Sequence, residues 1–292
     1  MVEPHPRLTL PGPVVSADWL AAHLDEVALV DVRWAPGGTS PAEAFAAGHL
    51  PGAVRVDLDD DLADPPTATG GRHPLPPPAA FAEVMARAGV GDGTPVVVYD
   101  DAKGSIAARL WWMLRVLDHP VAVLDGGIDA WRGDLATGSV RPAPAVFTER
   151  PWPAERFVDA DEVDALRSQP AVALLLDARA GDRFAGAPNP LDPRPGHIPG
   201  ARSAPWAGNV DEAGRFLPVE ALRTRFADLG APGVDRIVAS CGSGVTACHD
   251  LLALELAGFG RTALFVGSWS AWAADPTRPV ATGAGWPDER PG

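Results

Sequence analysis

Residues 196–202 read GHIPGAR, and residues 48–54 read GHLPGAV. The neighbouring segments repeat in the same order. VDVR (30–33) returns as LDAR (176–179), VVVYD (96–100) as IVASC (237–241), and VLDGGIDAW (123–131) as LFVGSWSAW (264–272). Four paired segments in one order, at a nearly constant offset, mark a unit written twice. A chain of 292 residues has room for two such units, each with its own core.

Each copy reads as α/β. The apolar runs VALVDV, TPVVVYD and VAVLDG, then VALLLDA, RIVASC and TALFVG, are short and rich in Val, Leu and Ile. Helical patterns such as PAAFAEVMARAGV and VEALRTRFADLGA separate them. Near-continuous apolar strands alternating with helices predict a mainly parallel sheet flanked by helices in each copy. Between Trp131 and Phe157 the chain has little periodicity and carries Pro142, Pro144, Pro151 and Pro153. This places an N-terminal domain at 1–140, a linker at 141–157 and a C-terminal domain at 158–292. The repeated His49 and His197 belong to a turn common to both copies, and the repeated Trp131 and Trp272 read as core anchors.

Composition narrows the partners. The formal net charge is −14, and Lys103 is the only lysine. Such a surface repels phosphate backbones, which argues against nucleic acid but leaves room for a small anion held by local arginines. No run of roughly 18 apolar residues predicts a membrane span, and prolines interrupt the N-terminal apolar stretch where a signal peptide would lie. Two cysteines, Cys241 and Cys248, make no disulfide framework. Cytoplasmic residence is the expectation. Cys248 and His249 have no standard zinc spacing and read as helix residues, so no metal is expected.

The chemistry sits in SCGSGVTACHDLLALELAGFG (240–260). An apolar strand ends at Cys241, a glycine-rich turn follows, and a helix begins near Val245 or Thr246. The carboxyl end of a strand is where open α/β sheets bind ligands. Loop N–H groups and the helix N-terminus there favour an anion, and so a thiolate. Gly242 and Gly244 let the backbone close around the sulfur. A buried, inert thiol is the plainest competing reading, and this setting argues against it. A Cys-x5-Arg phosphate loop fails because its arginine position is Ala247. Gly242-Ser243-Gly244-Val245-Thr246-Ala247 also fits a dinucleotide fingerprint, but the following strand, TALFVGSWS, lacks the acidic residue that motif requires. Ser243 is a candidate proton-relay hydroxyl.

The CGSGVTA loop, GHIPGA, DAR…DRF (177–184) and the GS-W-AW pattern resemble the two-domain rhodanese/sulfurtransferase family over nearly the whole chain. The loop is most similar to that of 3-mercaptopyruvate sulfurtransferases. Thiosulfate sulfurtransferases of the family carry basic residues where Gly242 and Ser243 stand. The resemblance implies a persulfide on Cys241, loop contacts from Gly242, Gly244, Val245 and Thr246, and a donor carboxylate held by Arg183 and Arg194. Arginine forks suit a carboxylate better than lysine does. It also implies that Asp59 and His73 approach from the first domain and form a relay with Ser243. Both segments depart from the family spacing: 184–194 and 59–73 are each somewhat longer. Asp60 or Asp61 therefore remain alternative partners for His73, and the acidic run also reads as a solvated loop. Arg179 reads as a structural tie.

In the first copy Asp100 occupies the cysteine position, and a carboxylate accepts no sulfane sulfur, so that copy should be catalytically silent. The expected reaction moves sulfur from a small anionic donor, 3-mercaptopyruvate preferred, through Cys241 to a thiol, thioredoxin or cyanide, with no metal or organic cofactor. A thiosulfate sulfurtransferase is the alternative, and a non-catalytic rhodanese-fold binding module a further one.

Overall fold

The computed structural model describes residues 8–34, 40–192 and 194–284. The repeat appears as two five-stranded sheets of identical topology. Strands β1 (Val14–Val15), β2 (Ala28–Asp31), β3 (Val54–Arg55), β4 (Val96–Tyr99) and β5 (Val121–Leu124) form the first, in the order β1-β5-β4-β2-β3. Strands β6 (Phe157–Val158), β7 (Ala173–Asp177), β8 (Arg202–Ser203), β9 (Arg236–Ser240) and β10 (Thr262–Phe265) form the second, in the order β6-β10-β9-β7-β8. Every named pair is parallel. The middle strands β4 and β9 are buried almost throughout, as their apolar sequences require.

Helices α1 (Ala17–Ala22), α2 (Pro41–Ala47), α3 (Pro78–Arg87) and α4 (Ala107–Arg115) belong to the first half. Helices α5 (Ala160–Leu166), α6 (Gly181–Ala185), α7 (Val219–Asp228), α8 (Ala247–Leu256) and α9 (Ser268–Ala274) belong to the second. Their starts follow local chemistry. Ser16 Oγ accepts the Trp19 N–H at the head of α1, proline opens α2 and α3, and Asp159 and Glu162 form a capping box on α5. None of the helices among the described residues is long and apolar enough to cross a membrane.

Both α4 and α8 are buried nearly all round, because they pack against each other as well as on their own sheets. One apolar cluster runs through this contact, from Leu110 and Trp111 to Leu251 and Leu252, and joins the halves. The repeated DVR and DAR motifs perform the same task twice. Arg33 grips Asp31 and donates to Gly48 O (2.8 Å); Arg179 grips Asp177 and donates to Gly196 O (2.9 Å). Each ties a strand end to its GH-PG turn. There His49 stacks on Phe45 and His197 on Phe184, with centroids 3.9 and 3.7 Å apart. Trp272 is a core residue, but its repeat partner Trp131 is only half-buried and packs at the core's margin.

Candidate active site

Cys241 directly follows β9, and Thr246 caps α8, so the loop between them lies at the carboxyl end of the middle strand. The sulfur is nearly enclosed, with Cys241 2% exposed. Gly244 has φ +76°, and a Cβ there would lie 2.5 Å from Val266 O; only glycine fits. That turn aims the Gly244 N–H at Cys241 Sγ, 3.2 Å away. The head of α9 holds the other side: Trp269 N–H donates to Cys241 O and Ser270 N–H to Gly242 O, both at 3.0 Å. Cys241 N–H donates to Ser268 Oγ at 3.1 Å. Val245 points into the core (4% exposed), so only its backbone remains available to the loop, while Thr246 is half-buried.

The first half reaches this loop through residues 67–73. A Cβ on Gly71 (φ +75°) would lie 2.5 Å from Gly267 O, so its lack of a side chain lets this segment press against α9. Arg72 N–H donates to Ser270 Oγ (3.1 Å). His73 then stands with Nδ1 2.8 Å from Ser243 Oγ and Nε2 2.9 Å from Asp59 Oδ1. Among the three acidic candidates it is thus Asp59 that meets His73. Asp61 instead pairs with Arg87, and Asp60 N–H donates to Asp57. Trp34 Nε1–H donates to Asp59 Oδ2 (2.7 Å) and steadies it. With Asp59 accepting from Nε2–H, His73 Nδ1 is left to accept the Ser243 hydroxyl proton. Burial pushes the His73 pKa below its ordinary 6.5, partly opposed by Asp59 and reinforced by Arg109 and Arg72. The histidine is therefore neutral and able to accept a proton at neutral pH. A groove of about 520 Å³, lined by Asp59, Asp60, Asp64, Arg72 and His73, connects this line of groups to solvent.

The arginines fall differently from the expectation. Arg183 lies beside the loop: its Nε and Nη2 bond Asp192, at 3.1 and 2.6 Å. Arg194 does not. Its guanidinium donates to the carbonyls of Ala273 (3.0 Å), Asp275 (2.8 Å), Arg278 (3.1 Å) and Trp272 (3.3 Å). Those of Trp272, Ala273 and Asp275 lie at the C-terminal end of α9 and that of Arg278 in the segment after it, whereas Cys241 touches the head of α9, so Arg194 ties down a helix end and its guanidinium is occupied there. The neighbour of the loop that the sequence did not single out is Arg72. A methyl placed on Gly242 would stand 2.8 Å from Arg72 Nη2 and 3.3 Å from Arg183 Nη2.

Beneath the loop Arg109 is fully buried and meets no carboxylate among the described residues; it donates to Gly244 O and His73 O, both at 3.1 Å. Burial pulls its pKa down, and the sulfurs of Cys248 and Cys241 oppose that pull. Cys248 is sealed in the core, and its pKa is pushed up to about 12 by burial, so it is inert.

Two parallel sheets of one topology, with cysteine ending the middle strand of one and aspartate that of the other, define a duplicated α/β protein with a single cysteine-centred site. The rhodanese-like domain pattern matches residues 16–134 and 159–275, and the chain belongs to the rhodanese family. A Pseudomonas aeruginosa protein named "Probable 3-mercaptopyruvate sulfurtransferase" is 46% identical, covering 92% of this chain and 98% of its own. A Mycobacterium tuberculosis protein provisionally named thiosulfate sulfurtransferase SseB is 40% identical, over 89% of this chain and 92% of its own. The crystal structure of the 3-mercaptopyruvate sulfurtransferase SseA from Escherichia coli superimposes with a TM-score of 0.76 at 34% identity, covering 89% and 99% of the two chains. The protein is a two-domain sulfurtransferase.

Proposed function

We propose that Cys241 takes sulfur from 3-mercaptopyruvate and passes it to an acceptor thiol. The observation that carries this is the pairing of a sulfur held by the Gly244 N–H with a Ser243–His73–Asp59 line two residues away. The thiolate attacks the donor's sulfur, the S–S bond forms, and the donor's C–S bond breaks. The bonding pair leaves on carbon as the enolate of pyruvate. The proton first carried by the donor thiol passes to that carbon, and Ser243 with His73 is placed to move it, with Asp59 holding the histidine's tautomer. The outer sulfur stays on Cys241 as a persulfide, stabilised by the loop N–H. An acceptor thiolate, that of a thioredoxin-type protein or a small thiol, then attacks the outer sulfur and releases the Cys241 thiolate. Two free, buried cysteines suit the reducing cytoplasm.

The loop itself, Gly242 and Ser243, carries no charge, and cations reach it from neighbouring segments. That suits a donor whose charge lies some bonds away from the attacked sulfur. Thiosulfate is the second reading, supported by the name of the Mycobacterium tuberculosis relative. Sulfur transfer to cyanide, measured with each donor, decides between them: kcat/KM is expected to be higher for 3-mercaptopyruvate, and the reverse order would reject it. Treatment with donor should add one sulfur atom to the Cys241 peptide by mass spectrometry, and Cys241→Ser should abolish both signals. Transfer that survives this substitution would remove the mechanism.

A further inference from the structure

We propose that Arg109, on α4 of the first half, is the fixed counter-charge of the sulfur on Cys241 and the positioning residue that sets the catalytic loop against the relay. The proposal rests on the reading of Cys241 as the sulfur carrier and names the group that keeps that sulfur anionic.

Arg109 bridges the two halves from beneath, and its side chain is fully buried. Nη2 donates to His73 O (3.1 Å) and, at longer range, to Leu62 O (3.4 Å) and Pro74 O (3.5 Å), in the part of the first half that carries the relay histidine. Nη1 donates to Gly244 O (3.1 Å), in the loop of the second half whose Gly244 N–H holds Cys241 Sγ. One planar fork thus spans both partners of the site. The contact has a counterpart running the other way: His249, on α8, sets Nε2 3.3 Å from Lys103 O, in the loop after Asp100. Each central helix reaches into the other half's loop. Burial takes the His249 pKa down to about 3 and keeps that imidazole neutral, so of the two loops the one with the cysteine receives the cation.

Elimination identifies the anion that Arg109 serves. A buried guanidinium is costly unless an anion completes it. Among the described residues no carboxylate pairs with Arg109, and its Nε has no hydrogen-bond partner. Two sulfurs lie within reach of its charge, those of Cys248 and Cys241. Cys248 supplies no anion at neutral pH: its thiol is sealed in the core, donates to Gly244 O (3.4 Å), and has its pKa pushed up to about 12 by burial. The negative charge left to complete Arg109 is that on Cys241, first as the thiolate and then as the outer sulfur of the persulfide. The other cations around Cys241 are Arg72, Arg179 and Arg183. Arg179 and Arg183 are paired with Asp177 and Asp192. Arg72 lines the groove that opens to solvent, where water and salt screen it. His73 is neutral, and Ser268 and Ser270 at the head of α9 carry no charge. Of these cations, Arg109 is the one both shut off from water and without a carboxylate.

The test reads the reactivity of Cys241 toward iodoacetamide, a neutral probe with no carboxylate to bind. It uses the full chain with Arg109→Gln, and with Arg109→Lys, which keeps the charge and loses the fork. At neutral pH alkylation should slow roughly tenfold or more in Arg109→Gln and by less in Arg109→Lys, the effect of a unit charge on the ionisation of a neighbouring thiol. In alkaline solution, where the thiol is ionised in every variant, the rates should converge. kcat/KM should fall by similar factors for 3-mercaptopyruvate and for thiosulfate, since the charge acts on the nucleophile and not on a group of the donor. Mass spectrometry should find one added group, on Cys241, with Cys248 untouched. Superimposable alkylation profiles would overturn the proposal. So would modification of Cys248, which would mark Arg109 as a prop of the core alone. A second measurement needs no variant. Because Arg109 is shielded from solvent, about 1 M potassium chloride, with a Debye length of about 3 Å, should change the neutral-pH alkylation rate of the parent by less than about twofold. A fall of roughly tenfold in salt would assign the charge to the solvent-facing Arg72 and overturn the proposal. Should the parent form no persulfide on Cys241, the carrier reading fails by itself, and the alkylation and salt measurements still decide the role of Arg109.

Discussion

The Asp100 carboxylate and the Cys241 sulfur hold the same station in the two halves, each just past the end of its middle strand, and each is met by the loop that follows. Asp100 Oδ1 accepts the N–H groups of Ala102 (2.9 Å) and Gly104 (2.8 Å), and Oδ2 those of Ile106 and Ala107, both at 2.8 Å. The first half holds an anion cradle filled by its own side chain. Burial raises the Asp100 pKa while these four donors oppose the rise. Asp100→Asn presents an NH2 group to two of the donors and leaves them unsatisfied. Urea unfolding should show a loss of about 1–3 kcal/mol, with kcat for sulfur transfer unchanged in the folded protein. Unaltered stability would show that the cradle does not need a carboxylate.

If His73 serves as the proposed relay base, it should set the pH dependence of sulfur loading. Burial depresses its pKa below 6.5 and Asp59 partly restores it. The acid limb of kcat/KM for sulfur loading should therefore fall below pH 6.5, because the relay needs the neutral ring. Removing the Asp59 charge withdraws the restoring influence, so in Asp59→Asn the limb should move to still lower pH. The same variant should lose rate at neutral pH, since nothing then fixes the tautomer. His73→Ala should cost roughly a hundredfold or more in kcat. A limb that stays in place in Asp59→Asn would separate His73 from the observed titration.

Much of this was legible because duplication writes the fold twice. The two parallel sheets and the single cysteine at a strand end follow from paired segments and from Asp100 standing opposite Cys241, whereas the strand order comes from the structure alone. The relay was legible only through family resemblance, since Asp59 and His73 reach Ser243 across an interface that no local pattern encodes. The arginines show where reading stopped. Arg194 stands in a proline-rich loop whose side-chain direction has no periodicity behind it, and four carbonyls at and just after the end of α9 claimed it. Arg72 had one signal, its place beside His73 after two glycines, and what gives it meaning is the close approach of Gly71 to α9.

Arg194 separates stability from recognition. Because its fork satisfies carbonyls at a helix end, Arg194→Ala should lower unfolding stability by about 1–2 kcal/mol and leave the KM for 3-mercaptopyruvate within about twofold of the parent, in contrast to Arg183→Ala, whose KM should rise at least tenfold. Thermal unfolding and steady-state kinetics on the two variants check this. A raised KM in Arg194→Ala at unchanged stability would restore it to the carboxylate site.

A last consequence concerns His249 and Asp250, adjacent on α8 and joined through Asn209, whose Nδ2 lies 3.2 Å from His249 Nδ1 and 2.7 Å from Asp250 Oδ1. Both are fully buried. Burial takes His249 down to about 3 from 6.5 and Asp250 up to about 7 from 3.8. Between pH 3.8 and 6.5 the unfolded chain therefore holds a proton on His249 that the folded chain lacks, which makes stability rise with pH. Over the same interval the folded chain holds a proton on Asp250 that the unfolded chain has released, which makes stability fall with pH. Each slope is about 1.4 kcal/mol per pH unit, and in the parent protein they cancel. Single substitutions expose them. Relative to the parent, His249→Gln should lose stability as pH rises from 4.5 to 6.5, and Asp250→Asn should gain it. Urea unfolding at three pH values in that interval reads both slopes. Parallel curves for both variants would mean that neither group is held in its neutral form in the fold.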